Sequence, residues 1–530
     1  LVHQVPVLQA LHQSRVHLVD LLSKLDGNDD VDQALLGLIK NEDDARAPLV
    51  AELEAEETPT IDAFIQDNQI ITDPLQLEDT RVLIKEFLQQ LQNVEDPILD
   101  SVGFIENILA SIDENLSKQL DEVIHHPDFQ NLEGSWRGLH YLVMNTETST
   151  TLKIRLLSIT RDEMQTDLEK AVEFDQSQLF KKIYEEEYGT FGGNPYSALL
   201  CDMAFGRHPK DVELLRHLSG IAAAAHAPLL SAASPKLFNM KSFASLNSPR
   251  DLAKIFESSE MVKWNSFRET EDSRYVTLFL PKILVRQPYG ADTDPVSSFQ
   301  YEETVEGENN DKFCWGNPAY AMAQRMTNAF ALYGWTAAIR GVEGGGLVSN
   351  LPVFTFKTPR GDVAMKSPVE VVLTDRREKE LSDLGFIALC HCKGKDYAAF
   401  FGSQTAQKPK IYNLDDANAN SSTSARLPYM LNASRFAHYV KVLMRDKIGS
   451  FMSRIEVEQY LQKWIADYIL LSDVAPQNVK AKYPLREALI NVVEIPGSPG
   501  SYRAVMFLRP HFQLEELTTS IRLVAKLPTA

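Results

Sequence analysis

Residues 99–125 constrain the fold more than any other stretch of the chain. Ile105, Ile108, Leu109, Ile112, Leu116, Leu120 and Val123 recur mostly at intervals of three and four, which lines them along one side of a helix. A near-heptad seam of this length needs other helices against it, because water is a poor partner for a continuous apolar stripe. The flanking sequence supplies them. Residues 6–25 carry Val7, Leu8, Leu11, Leu18, Leu21, Leu22 and Leu25 at helical spacing, with Gly27 as a C-terminal stop. Residues 31–40 read as a second helix capped by Asp29 or Asp30. Residues 80–94, with Leu83, Phe87, Leu88 and Leu91, read as a third. The expectation is an N-terminal helical bundle whose seam includes Leu11, Leu18, Leu22, Ile105, Ile112 and Leu116.

An isolated apolar island interrupts this region. Ile61, Phe64 and Ile65, then Ile70 and Ile71, lie between Thr58-Pro59-Thr60 and Asp73-Pro74. Such a segment either docks on a partner or packs on its own domain.

From about residue 130 the pattern becomes mixed. Residues 151–158, 196–205 and 228–232 read as strands, and residues 211–225 as a helix between the last two, a βαβ signature. Residues 282–286, 369–373, 386–390 and 397–401 look like further strands, and 318–333 like a helix. The polar stretch 290–311 reads as a loop or mobile excursion. The last hundred residues form a separate unit. It has helices at 428–447 and 455–471 and strands at 488–495, 502–509 and 518–527, the first two strands joined by the turn Pro496-Gly-Ser-Pro-Gly500. The fold class is therefore α/β (α+β mixed), with an N-terminal helical bundle and a C-terminal helix-plus-β-sheet unit.

Charge narrows the partners. The 530 residues hold 53 basic and 73 acidic side chains, net −20, which argues against a general nucleic-acid binder. The distribution is uneven. Residues 1–57 have four basic and twelve acidic residues, whereas residues 421–530 have fourteen and nine. No apolar run approaches the roughly 18 residues of a membrane span. Four cysteines exclude a disulfide scaffold and suit a reducing, cytoplasmic compartment. The start at Leu1 reads as a fragment or processed chain.

Motifs for chemistry are thin. Gly341-Val-Glu-Gly-Gly-Gly346 has neither P-loop nor GxGxxG spacing and reads as a flexible loop. Cys390-His391-Cys392 lacks a second ligand pair. Glu185-Glu-Glu187 reads as a carboxylate site or, better, a solvated turn, and Arg268-Glu-Thr-Glu-Asp-Ser-Arg274 as a salt-bridged helix end or equally an active site. Neither GxSxG nor HExxH is present, and nothing supplies a nucleophile with a positioned base. No catalytic residue, metal or cofactor is expected, and the chain is read as a non-enzyme. Arg435, His438, Lys441 and Arg445, extended by Lys447, are spaced three, three and four. They form either a basic stripe for an acidic partner or an ordinary solvated face. Residues 518–527 place Ile521, Leu523 and Val524 among Arg522 and Lys526, a terminal strand whose edge either recruits a neighbour or pairs internally.

A run of motifs carries a family resemblance. Leu132-Glu-Gly-Ser-Trp136-Arg-Gly-Leu139, Glu187-Tyr-Gly-Thr-Phe191-Gly-Gly193, Ala225-His-Ala-Pro228, Trp315-Gly-Asn317, Thr374-Asp-Arg376, Gln407-Lys-Pro409, Arg435-Phe-Ala-His-Tyr-Val-Lys441, Asp446-Lys-Ile-Gly449 and Leu508-Arg-Pro-His511 occur in one order. Together with Arg268–Tyr275 they resemble the large sheath subunit of bacterial type VI secretion systems, the TssC or VipB family. Leu1-Val-His-Gln-Val-Pro6 and Asp20-Leu-Leu-Ser-Lys-Leu-Asp-Gly-Asn28 resemble C-terminal helices of the small subunit, TssB or VipA.

The resemblance implies a contractile tail-sheath fold. Its expected division is a small-subunit piece at 1–57, a helical region at 58–127, an inner core from 128–205 and 421–530, and an inserted domain at 206–420. It also implies a structural role. Small and large subunits form heterodimers, and neighbouring heterodimers polymerise on a baseplate around an Hcp tube. The sheath contracts to drive tube and spike into a target cell and is recycled by the ATPase ClpV. The setting is the bacterial cytoplasm, on an envelope-anchored baseplate, without membrane insertion. The alternative is a sheath subunit of a related phage-like or extracellular contractile injection system. The implied sites are a tube-facing set of Arg435, His438, Lys441, Arg445 and Lys447, inter-subunit strand exchange through Thr518, Ile521, Arg522, Leu523 and Val524, and ClpV recognition through Ile61, Phe64 and Ile65.

Overall fold

A computed structural model describes every residue except 1, 26–27, 41–45, 54–57, 69, 71–76, 93–99, 249–250, 473, 498–499, 512 and 514–530. The chain divides into two compact units. The first is Leu1–Gln130 with Arg286–Phe313, and the second is Asn131–Val285 with Cys314–Ala530.

The first unit is the helical bundle that the seam requires. Its helices are α1 (Pro6–Leu25), α2 (Asp29–Lys40), α3 (Arg46–Val50), α4 (Pro59–Asp67), α5 (Leu77–Gln92) and α6 (Ser101–Ile124). Leu18, Leu35, Ile61, Ile65, Ile84, Phe87, Phe104, Ile105 and Leu116 are all buried in one core, with Leu11 and Leu22 half-buried against it. Each fully buried side chain of this size contributes about 1.5–3 kcal/mol. Arg15 on α1 meets Asp113 on α6 through Nε at 2.6 Å, and its Nη1 donates to the Ser298 carbonyl at 3.1 Å.

Residues 290–311, read as a loop or mobile excursion, form an irregular loop that this contact and others anchor. Phe299 and Tyr301 are buried in the bundle core, and the Glu303 carboxylate sits fully inside. Arg286 donates to it at 2.5 Å, His125 Nε2 lies 3.0 Å away, and the Tyr289 amide donates at 3.0 Å. Burial alone would raise the Glu303 carboxyl, but the His125 and Arg286 hydrogen bonds outweigh it and hold it below its usual range.

The second unit takes in most of α7 (Pro127–Met144). Gly134 and Gly138, one turn apart, let this helix press against the chain at Trp315 and Tyr320. A Cβ at Gly134 would lie 2.7 Å from the Trp315 carbonyl oxygen, and one at Gly138 would lie 2.4 Å from the Tyr320 ring. The central sheet contains β1 (Leu199–Phe205), β2 (Leu229–Ala233), β3 (Val276–Leu280), β4 (Leu347–Val348), β5 (Phe386–His391) and β6 (Ala398–Phe400). Their order is β1-β2-β3-β5-β6-β4. The first three pairings are parallel and the last two antiparallel. Helix α8 (Pro209–Ala225) crosses from β1 to β2 and α9 (Ala319–Tyr333) covers the sheet, so β2, β3 and most of β5 are buried throughout, as parallel strands between layers must be.

Two expected strands do not form regular ladders. Residues 369–373 contribute only a bridge from Val369 to Ile283. Residues 151–158 pair with no strand among the described residues and take no regular structure.

The C-terminal part of this unit contains α10 (Leu427–Asp446), α11 (Arg454–Ala466), β7 (Leu485–Glu494) and β8 (Tyr502–Pro510). The two strands form an antiparallel hairpin, with Leu489 opposite Phe507 and Ile490 opposite Met506. Phe436 and Val440 of α10, Val457, Leu461 and Ile465 of α11, and Ile490 and Val492 of β7 share a core with Trp335. The expected strand at 518–527, with Thr518, Ile521, Arg522, Leu523 and Val524, lies outside the described residues.

Candidate assembly surface

The hairpin presents two different faces. The inward positions pack on α11, and the outward ones do not. Leu489 and Phe507, a directly opposed pair, are 57% and 56% exposed, and Val493 and Val505 are exposed beside them. The period-two alternation thus continues across both strands with apolar residues on the solvent side too.

The two edges also differ. On β7 the Val492 amide donates to Glu458 at 2.9 Å, its carbonyl accepts from Arg454 at 2.9 Å, and the Leu485 carbonyl accepts from the Leu470 amide at 2.8 Å. Side chains and a neighbouring loop therefore occupy that edge at these points. Among the described residues the outer edge of β8 has no comparable cover.

The basic residues of α10 are not the free stripe that their spacing suggests. Each step of three falls about 60° short of a full turn, so the set winds around the helix. Arg435 lies over the rings of Phe330, Trp335 and Tyr439, at 4.7, 5.5 and 5.2 Å. His438 is buried and its Nε2 lies 2.8 Å from the Ala225 carbonyl oxygen, where it donates. Burial, with the nearby charges of Arg435 and Lys441, pushes its pKa down to about 4, so the ring is neutral. Lys441 Nζ sits 3.4 Å from the Tyr188 ring centroid, and burial lowers its pKa. Arg445 donates to the Thr190 and Tyr188 carbonyls at 2.9 and 3.1 Å. Lys447 lies over Tyr460 at 4.5 Å. Apart from the buried His438 all are half-buried, and all serve internal contacts.

These contacts converge on a cluster that no sequence motif announces. Residues Lys181–Gly189 form a π-helical turn, and its last carbonyls meet Arg445. Tyr188 packs between His226 and His438, with ring centroids 6.0 and 5.1 Å away. His226 adopts φ +50° at the end of α8, and its Nδ1 lies 3.1 Å from the Tyr275 hydroxyl. Burial pushes the Tyr188 phenol up to about 12 and lowers His226.

The ClpV-recognition candidates are likewise occupied. Ile61 and Ile65 are buried and Phe64 is half-buried. The Glu52 carboxylate accepts from the Thr60 and Ile61 amides at 3.1 Å, capping α4, and Arg81 grips Asp62 at 2.8 and 2.9 Å. The helix is thus seated in its own bundle rather than offered to solvent. In contrast, Leu11, Leu18, Leu22, Ile105, Ile112 and Leu116 do come together in one core.

The remaining motifs make contacts within the chain. The Gly341 amide donates to the Phe400 carbonyl and the Phe400 amide to Gly346, at 2.7 and 3.0 Å, so the glycine loop extends the sheet edge. Glu187 pairs with Arg155 and accepts from the Asn194 amide. Arg268 is buried and donates through Nε to the Ala406 carbonyl at 2.9 Å. Burial pushes the Cys390 thiol up to about 12, which keeps it protonated. Among the described residues no group of three or more His, Cys, Asp or Glu is placed to hold a metal ion.

The sequence is similar to those of known proteins. Residues 106–407 match the family described as EvpB/VC_A0108, tail sheath N-terminal domain, and residues 416–527 match its gpW/gp25-like domain. The chain is 49% identical over 456 residues, 85% of its length and 90% of the relative's, to the type VI secretion system sheath protein TssC1 of Pseudomonas aeruginosa PAO1. It also has a distant likeness to the contracted PVC sheath complex of an extracellular contractile injection system, at 9% identity and TM-score 0.34 over 64% of this chain and 74% of that one. The likeness to the anti-feeding prophage baseplate is at 10% identity and TM-score 0.33, over 59% of this chain and 66% of that one.

Proposed function

The chain belongs to the VipB/TssC family of tail sheath proteins, and from that premise we propose that it is the large structural subunit of a type VI secretion contractile sheath. With a small TssB/VipA-like partner it forms heterodimers that polymerise helically on a baseplate around an Hcp tube. Contraction of the sheath drives tube and spike outward. The observation that carries this reading is the identity to a type VI sheath protein along most of both chains.

Physical arguments support it. A heterologous contact that does not close generates a filament. Two packings of the same rigid subunits, differing by a small free energy each, make contraction a switch summed over the whole polymer. The proposed subunit contacts are the open edge and outer face of the β7–β8 hairpin, extended by Thr518, Ile521, Arg522, Leu523 and Val524. The bundle residues Leu11, Leu18, Leu22, Ile105, Ile112 and Leu116 bring the helices of residues 1–57 onto the rest.

The C-terminal end of α10 is proposed to face the tube, with Lys441, Arg445 and Lys447 at its margin and His438 as packing behind them. Recognition by ClpV through Ile61, Phe64 and Ile65 requires α4 to leave its seat first. The chain acts as a structural protein and not a catalyst. Among the described residues no helix is long and apolar enough to cross a membrane, and the proposed setting is the bacterial cytoplasm.

The test is electron microscopy of the chain produced with its small partner subunit. Long hollow tubes of repeating subunits are expected. Heterodimers that never polymerise, with baseplate and tube components supplied, would overturn the reading.

A further inference from the structure

Residues 406–424 form a closed loop on the second unit. Its ends are pinned together, with the Thr405 amide donating to the Ala425 carbonyl at 2.9 Å and the Leu427 amide to the Ser403 carbonyl at 2.8 Å. The outgoing limb is held down. The Ala406 and Lys408 amides donate to the Val276 and Arg268 carbonyls at 2.8 and 2.9 Å, and Lys410 Nζ meets Glu271 at 2.8 Å. The return limb, the helix Asp415–Ser424, buries none of its side chains. Asn418 closes the tip. Its Oδ1 accepts from the Tyr412 amide at 2.6 Å, and its Nδ2 donates to the Tyr412 carbonyl at 2.9 Å.

This local bonding holds apolar side chains in water. Residues 410–416 are all exposed. Ile411 and Leu414 are 89% and 71% exposed, and Tyr412 is half exposed between them. Single exposed leucines are ordinary, but three large apolar side chains within four residues make a patch that burial would stabilise. Charge brackets the patch. Lys408 and Lys410 precede it, and Asp415 and Asp416 follow it. Lys410 is taken by Glu271, whereas among the described residues Lys408, Asp415 and Asp416 form no ion pair.

We infer that this loop is a self-association contact, through which two copies of the chain meet tip to tip across a two-fold axis. The order cation, apolar patch, anion is its own complement when reversed. A two-fold axis through the tip packs Ile411, Tyr412 and Leu414 of one copy on those of the other. It also sets Lys408 of each copy against Asp415 and Asp416 of the second. A partner surface of a single charge sign would satisfy one flank and oppose the other. The inference goes beyond the sheath reading, because a two-fold contact closes on itself whereas a sheath grows through contacts that do not. It describes the chain outside the polymer. Three side chains from each copy fall short of the roughly 1,000 Å² of a stable interface, so the dimer is transient.

Sedimentation equilibrium of the full chain tests it, in a Phe507→Asp background that takes the exposed hairpin patch out of the comparison. Over about 1–300 µM the average mass should rise reversibly from one chain toward two. Ile411→Asp should keep the chain monomeric throughout with an unchanged thermal melt, because the side chain already lies in water. A monomer at every concentration, or a dimer that Ile411→Asp leaves intact, would overturn the inference. Masses well beyond two chains would equally count against a contact that closes.

Charge exchange provides the second arm. Lys408→Asp should weaken the dimer about tenfold, and so should Asp415→Lys combined with Asp416→Lys, since each change turns two symmetry-related attractions into repulsions. Mixing the two variants should bring association back to within about threefold of the parent, as dimers holding one of each, because each then offers the charges that the other lacks. A mixture no more associated than either variant alone would rule out the tip-to-tip arrangement.

Discussion

Acid should loosen the packing of α10 through His438, and the size of the effect follows from its surroundings. The imidazole is buried between α10 and the end of α8 and donates to the Ala225 carbonyl. The cations Arg435 and Lys441 lie nearby, with His226 and Tyr188 across the cluster. A second proton would be placed in this site without a carboxylate partner. The folded pKa of about 4 lies below the 6.5 of a free histidine, so the unfolded chain binds the proton first. The stabilisation is fully present above about pH 6.5 and is lost progressively as pH falls toward 4.

By pH 4.5 the loss amounts to roughly 2–3 kcal/mol. Lowered His226 adds to it with the same sign, while the Tyr188 phenol, at about 12, does not titrate here. His438→Gln keeps a side-chain donor and removes the proton site. Urea unfolding followed by tryptophan fluorescence, in steps from pH 7.5 to 4.5, isolates the residue as the difference between parent and variant. The parent should be the more stable at pH 7.5, and the gap should shrink by about 2–3 kcal/mol on acidification. Parallel curves for the two proteins would refute the assignment of a buried neutral imidazole.

Three further outcomes follow from the packing. Leu489→Asp or Phe507→Asp should leave the melt of the isolated chain nearly unchanged, because both residues are more than half exposed, and should abolish tubes in electron micrographs. Gly138→Ala forces a methyl group to 2.4 Å from the Tyr320 ring. It should cost about 1–3 kcal/mol and lower the thermal midpoint. Arg15→Ala strands Asp113 and frees the Ser298 carbonyl. Amides of α1 should then exchange about tenfold faster, reflecting roughly 1–2 kcal/mol.

The bundle was legible because its signal is local. One seam with a period near 3.6 specifies both a helix and the face it buries, and helices near α6 in sequence pack near it in space. The βαβ element was legible for the same reason, since α8 and its two strands are consecutive. The sequence misled where a partner decides the outcome. Residues 151–158 have strand composition, but a strand exists only as a pair, and no pattern in the segment says whether the partner lies in the same chain. Residues 290–311 look polar on average, yet Phe299, Tyr301 and the Arg286–Glu303 pair secure them to the bundle. Average polarity cannot register two aromatic anchors and one buried ion pair.

The basic residues of α10 show a related ambiguity and bear on where the second unit can meet other molecules. A cation on a helix serves an external anion, an aromatic face or a carbonyl array with the same side chain, and spacing does not separate these uses. Here Arg435, Lys441 and Lys447 lie on rings and Arg445 on carbonyls. A charge already engaged by its own fold contributes less to a partner, because that contact must be surrendered or shared. The surfaces of this unit that have nothing to surrender are apolar or unpaired. They include Leu489, Val505 and Phe507 on the hairpin, Leu132 and Trp136 on α7, and Leu156 and Leu157. Covering them gains hydrophobic and backbone hydrogen-bond energy at no cost to internal packing. Mutations on these surfaces should therefore affect assembly and spare the monomer, whereas mutations of the α10 cations should perturb the monomer first.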